Sequence, residues 1–131
     1  LTEAGRHVVA AMDEHGVDRF VTLVGAGVRE EGESVSLGGR TMGALLKLMA
    51  RSVLDDAKEH VEMVRASDTR WTVVRGPRLT EGAHTGQFRH GTDLSLGVRA
   101  AAARANVADF VLDCLEEDLY VHEMPKVADD R

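Results

Sequence analysis

Cysteine is almost absent: Cys114 is the only one in 131 residues. An intramolecular disulfide is therefore excluded, and the expected compartment is the cytoplasm. No apolar run approaches the ~20 residues a membrane-spanning helix needs, and no signal-peptide pattern opens the chain. Aromatic residues make up 4% against a hydrophobic fraction of 44%, so the core has to be built from Val, Leu, Ala and Met. Basic clusters are also missing. The net charge is −6 and the only lysines are Lys47, Lys58 and Lys126, which argues against a nucleic-acid partner. Neither HExxH nor CxxC occurs, and Glu30, Glu31 and Glu33 have no histidine nearby and no calcium-loop spacing, so no metal site is expected. The first residue is Leu1 rather than methionine, and a helical pattern begins at once. The reading this suggests is a domain whose amino-terminal part lies outside the sequence.

What is present is organised around Ser67–Gly82. Trp71–Val74 (WTVV) has the composition of a buried strand. Arg75-Gly76-Pro77 stops it, because proline donates no ladder hydrogen bond. A helical rhythm runs up to this strand through Met42, Leu45, Leu46, Met49, Val53, Leu54, Ala57, Val61 and Val64. Whether it forms one helix or two, with a second start at Ser52 or Asp55, stays open. Thr2–His15 reads as an amphipathic helix closed by Gly16. Phe20–Val24 (FVTLV) reads as a buried parallel strand. Gly25-Ala26-Gly27 then fits either a close approach of backbone to ligand or a plain strand-ending turn. Arg29–Arg40 reads as a polar loop. Beyond the central strand, Arg78–Asp93 is a loop in which His84 and His90 are expected to be solvated, and Leu94–Val98 a short edge strand. Asn106 is expected to cap a helix over 107–117 together with Asp109. Cys114 falls on that helix's apolar face as a buried hydrophobe rather than a nucleophile. Tyr120–Val127 is expected to be a last short strand, and Ala128–Arg131 a frayed tail. Helices alternating with parallel strands predict an α/β doubly wound sheet, in which ligands bind outside the strands' carboxyl ends. Residues 75–90 are therefore the expected site region, with Arg75 largely structural at the sheet's edge.

Three stretches carry a family resemblance: GVDRFVTLVGAGV (Gly16–Val28), SDTRWTVVRGPRLTEG (Ser67–Gly82) and ANVADFVLDCLEEDLYV (Ala105–Val121). Together they resemble the carboxyl half of an NAD(P)-binding atypical short-chain dehydrogenase/reductase, of the NmrA-like or flavin/biliverdin reductase type. The resemblance implies an incomplete Rossmann-like doubly wound parallel sheet, a single domain over 1–131 that lacks the amino-terminal glycine-motif half. It implies NAD or NADP as cofactor, with NADP favoured. The backbone of Val24, Gly25 and Ala26 would pass the nicotinamide ribose, and Pro77, Arg78 and Leu79 would meet the carboxamide. The chain departs from the pattern in three places. No GxxGxxG turn is present. Val53 and Ala57 stand where many relatives carry a tyrosine and a lysine. Gly25 stands where relatives often have serine. No catalytic residue is assigned; Arg78 and His84 are the candidates.

The resemblance supports an NAD(P)H-dependent reductase of a flavin- or quinone-like planar acceptor. Its alternatives are a non-catalytic dinucleotide-binding redox sensor and an inactive half-domain. Self-association into a homo-oligomer is compatible with each.

Overall fold

The computed structural model describes residues 1–26 and 51–130; the expected loop at 29–40 and the start of the long helical segment lie outside them. Helix α1 (Thr2–His15) ends at Gly16, whose φ of 70° is the left-handed conformation that releases a chain from a helix. Strand β1 (Arg19–Gly25), helix α2 (Arg51–Ala66) and strand β2 (Arg70–Gly76) follow. Pro77 separates β2 from β3 (Arg78–Thr80), after which come β4 (Phe88–Gly91), β5 (Ala101–Ala103), helix α3 (Arg104–Glu117) and β6 (Lys126–Asp129).

The main sheet has the order β1-β2-β6-β4. The first three strands run parallel and β4 closes the edge antiparallel to β6. A second, two-stranded parallel sheet joins β3 to β5. Strand alternation sends side chains to two faces. On one face, Phe20, Val24, Trp71 and Val73 pack with Leu54, Ala57, Val61 and Val64 of α2. On the other, Val21 and Val74 pack with Val107, Phe110 and Cys114 of α3. Helices on both faces of a mostly parallel sheet make the doubly wound α/β arrangement that the sequence predicts.

Several boundaries differ from expectation. β1 is only half-buried, with Leu23 36% exposed, because among the described residues it pairs with β2 alone and forms an edge. Leu94–Val98 is irregular; the strand in this region is Ala101–Ala103. Tyr120 and His122 adopt positive φ, so the last strand begins only after Pro125. Val127 lies in that strand as expected, while Ala128 is buried within it rather than frayed, since β4 covers it from the outer side. His90 is exposed, as expected, but it is also anchored: its ring stacks on Phe110 at 4.6 Å and its Nδ1 lies 2.7 Å from the Tyr120 hydroxyl.

α1 and α2 approach closely at one point. A Cβ added to Gly5 would lie 2.6 Å from the His60 ring, so only glycine permits the contact. His60 is 2% exposed. Its Nε2 shares a 2.9 Å hydrogen bond with Thr22 Oγ1, while Nδ1 is buried without a partner. Burial holds the imidazole's pKa below its ordinary value, aided by the Leu1 amine and opposed by Asp56. The unfolded chain thus takes up a proton that the native state resists. Stability is fully present above the unfolded pKa of about 6.5 and declines as pH falls below it. Chemical denaturation at pH 7.5 and 5.5 should show a lower midpoint at the acidic value, and His60→Gln should flatten the difference. An unchanged pH dependence in that variant would show that other groups control it.

Candidate functional site

Parallel pairing puts the two stretches singled out in the sequence side by side. Val24 lies opposite Arg75 and Gly25 opposite Gly76, and the pairing runs one residue further because the Ala26 N–H donates to the Gly76 carbonyl at 2.8 Å. Val24–Ala26 and Pro77–Leu79 therefore leave the sheet together at its carboxyl edge. Val24 is buried in the core, whereas Gly25 is exposed and a Cβ there would meet nothing within 4 Å. The backbone at Gly25 is open to close approach from outside.

After Pro77 the chain turns into β3, where the side chains divide. Leu79 packs into the α3-side core and Arg78 is exposed. Arg78, Leu79 and Thr80 lie opposite Ala101, Ala102 and Ala103.

Arg75 is the largest fully buried side chain, at 0% exposure. Its Nε and Nη2 donate to the Met124 carbonyl at 2.9 and 2.6 Å, and its own N–H donates to the Pro125 carbonyl at 2.8 Å. It fastens β2 to the segment entering β6 through the planar fork that distinguishes arginine from lysine. This is the structural role expected of it.

The loop leaving β3 folds over the start of α3. His84 Nε2 bonds Asp109 Oδ2 on the surface of that helix. No described hydrogen bond links His84 to Val24–Ala26 or to Pro77–Leu79. Asn106 is not the helix cap, since α3 begins at Arg104 behind Ala103. It is fully buried, and its side chain meets four partners. Its Oδ1 accepts from the N–H groups of Thr85 and Gly86 at 3.2 and 3.1 Å, and its Nδ2 donates to Thr85 Oγ1 and Asp129 Oδ1 at 3.0 and 2.9 Å. Asp129 Oδ2 in turn accepts from the Ala103 N–H at 2.9 Å. Loop, helix and last strand are thus tied by one satisfied polar network, which the sequence signalled only as a polar residue ahead of an apolar helix face.

The remaining candidate chemistry is quiet. Burial pushes the Cys114 thiol up to about 11, so no thiolate forms near neutrality. The only tyrosine, Tyr120, is engaged by His90. At the two α2 positions counted back from Trp71, Val53 is 68% exposed and Ala57 is buried. Neither side chain carries a proton that could be transferred. Among the described residues no group of His, Cys, Asp or Glu is placed to hold a metal ion, and no helix is long and apolar enough to cross a membrane.

A family model for NAD(P)H-binding proteins matches residues 1–118. The chain belongs to that family. No protein of curated function matches the sequence significantly. Among solved structures, the chain is similar to ChuY, an anaerobillin reductase from Escherichia coli O157:H7, with 14% identity and a TM-score of 0.78, over 98% of this chain and 58% of that one. It is also similar to a wide-type short-chain dehydrogenase/reductase from Veillonella parvula in complex with NADP, with 16% identity and a TM-score of 0.76, over 96% and 57%. A third, a Rossmann-fold NAD(P)-binding family protein from Shigella flexneri, has 16% identity and a TM-score of 0.66, over 95% and 52%. At these identities the likeness concerns the fold: a Rossmann-like sheet. The chain spans little more than half the length of the structures it matches.

Asn106→Ala removes four hydrogen bonds and leaves the Thr85 and Gly86 N–H groups without their acceptor. A loss of about 2–3 kcal/mol in unfolding free energy is expected from the unpaired groups. His84→Ala, which breaks only an exposed pair, should cost under about 1 kcal/mol. Urea melts of the two variants check this, and equal effects would contradict the division between buried and surface contacts.

Proposed function

We propose that this chain is the nicotinamide-side half of an NAD(P)H-dependent reductase of a planar acceptor such as a flavin or quinone. The observation that carries this reading is the joint exit of Val24–Ala26 and Pro77–Leu79 from paired strands, with open backbone at Gly25. The residues present fit the nicotinamide end of a dinucleotide: backbone of Val24, Gly25 and Ala26 along the ribose, and Pro77, Arg78 and Leu79 against the carboxamide. A bound dinucleotide supplies a hydride. The chain's own contribution is to orient the two partners and to exclude water from the gap between them.

The phosphate cradle has no counterpart in this sequence, since no GxxGxxG turn is present. We assign it to residues outside the chain, which the length of the neighbouring structures supports, as does the edge that β1 presents among the described residues. NADP is the favoured dinucleotide, in keeping with the Veillonella parvula neighbour, and the cytoplasm the compartment.

Acceptor class follows from what α2 lacks. Interconversion of an alcohol and a ketone needs an acid or base within hydrogen-bond reach of the reacting oxygen. Val53 and Ala57 cannot serve, His84 is held by Asp109, and Tyr120 by His90. A flavin or quinone can take its proton from solvent. With the chain extended upstream to restore a phosphate-binding turn, NADPH oxidation is expected with FMN or a quinone and not with simple ketones. Ketone turnover that disappears in His84→Ala would refute this and make His84 the acid. NADPH binding without turnover of any acceptor would favour the sensor reading.

A further inference from the structure

Arginine pairing in this chain is nearly complete away from one surface. Among the described residues, Arg6, Arg19, Arg65, Arg70, Arg75 and Arg104 each rest on a carboxylate, a carbonyl or an aromatic ring. Arg78, Arg89 and Arg99 are exposed, and none of them has a side-chain hydrogen bond or an ion pair among the described residues. These three are not scattered. Arg89 and Arg99 line one open groove of about 340 Å³ with Gly97, Ala100 and Ala101. Arg78 is the register partner of Ala101 in the β3–β5 pair. Paired residues of neighbouring strands project to the same face, opposite to Leu79 and Ala102, which enter the core. Arg78 is not itself part of the lining; its pairing with Ala101 puts it on the strand next to that wall.

The rest of the lining leaves the arginine donors unpaired. Gly97 leaves open space, and the Ala100 N–H closes a turn onto its carbonyl at 3.1 Å, which holds Arg99 at the rim. Asp129 also lines the groove, but both its carboxylate oxygens are taken, by Asn106 and by the Ala103 N–H. Asp130 is the one acid there with no side-chain partner, and among the described residues no carboxylate lies within 4 Å of the three guanidinium groups. Asp129 and Asp130 offset part of the charge of Arg89 and Arg99, but neither carboxylate lies within 4 Å of a guanidinium, so the donors of both arginines stay open to an anion. Arginine's planar fork suits a carboxylate or a phosphate.

We propose that the groove between β4 and β5 is an anion subsite in which Arg89 and Arg99, flanked by Arg78, hold the carboxylate or phosphate group of the acceptor. Arg78 directly follows Pro77, so the subsite adjoins the sheet edge where the reacting ring would lie. That the anion belongs to an acceptor rests on the reductase reading; the binding of an anion does not.

The test is calorimetric titration of the 131-residue chain with inorganic pyrophosphate and with benzene-1,3,5-tricarboxylate, then of the variant carrying Arg89→Gln and Arg99→Gln. All these side chains are exposed, and far-UV circular dichroism verifies folding. At least one anion should bind, more weakly as salt rises, and at least tenfold more weakly in the double variant; Arg6→Gln, which lies on α1, should change nothing. Preference between the two anions names phosphate or carboxylate as the source. No binding of either anion, or equal binding by wild type and double variant, overturns the subsite. With the upstream-extended chain, arginine-dependent binding of FMN over riboflavin without NADPH oxidation would remove the reductase reading and leave the subsite standing.

Discussion

The constraint on which the molecule depends is the parallel register of β1 with β2. Two parallel strands cannot be joined by a hairpin; the chain must leave the sheet and return through a crossover. Residues from Arg19 to Gly25 align one for one with Arg70 to Gly76. A slip of β1 by one residue would turn Val24 out of the α2-side core, and a slip of β2 would move Trp71 and Val73 to the face occupied by α3. The two-sided core therefore locks the register, and the register brings Gly25 level with Gly76. The layout of the carboxyl edge follows from that alignment.

Buried polar groups then fix what the aliphatic core leaves loose. With few aromatic residues, the packing surfaces of Val, Ala and Leu carry little directional information. Arginine supplies it at both ends of the sheet. At the amino edge, Arg19 donates to the carbonyls of Arg70, Cys114 and Leu119 at 2.7, 2.9 and 2.9 Å, which ties β1 to β2 and to the end of α3. Burial lowers its pKa, with Asp118 beside it working the other way. At the carboxyl edge Arg75 does the same for β2 and the approach to β6. Each guanidinium satisfies carbonyl groups that a strand or helix end would otherwise leave unpaired.

The sequence made the larger elements legible wherever local pattern and tertiary demand agreed. α1 runs from Thr2 to His15 and stops at Gly16, as periodicity and the cap residue indicate. WTVV marks the central strand because a strand buried on both faces carries such a run. The same argument overstated β1, since FVTLV is equally apolar but has one described neighbour. Asn106 misled because its polarity and position suit a cap, whereas its partners Thr85, Gly86 and Asp129 come from distant parts of the chain. The short strands were missed or misplaced for a related reason. Ala101–Ala103 has no strand propensity of its own, and Lys126–Asp129 is strand only because β2 and β4 flank it. At the carboxyl edge, the positions of the two backbone stretches were readable from strand ends, while the grouping of exposed arginines was not. Arg89 and Arg99 come to one groove through the placing of β4, β5 and β6, and Arg78 joins that side through the β3–β5 pairing.

The lack of a proton donor at Val53 and Ala57 and the unpaired cations beside β5 have one consequence together. A hydride acceptor that no protein acid protonates acquires negative charge as it is reduced. In a preorganised site that charge must be met by fixed positive groups, because water has been excluded from the gap. Guanidinium groups are suited to meeting it, since they remain charged at any working pH and cannot themselves surrender a proton. Under the proposed function, a tyrosine–lysine pair and an arginine groove are two answers to one electrostatic problem. The first supplies a proton to a carbonyl oxygen. The second steadies an anionic acceptor whose proton arrives from solvent, and it restricts the acceptors to those that bring an acidic group within reach of β5.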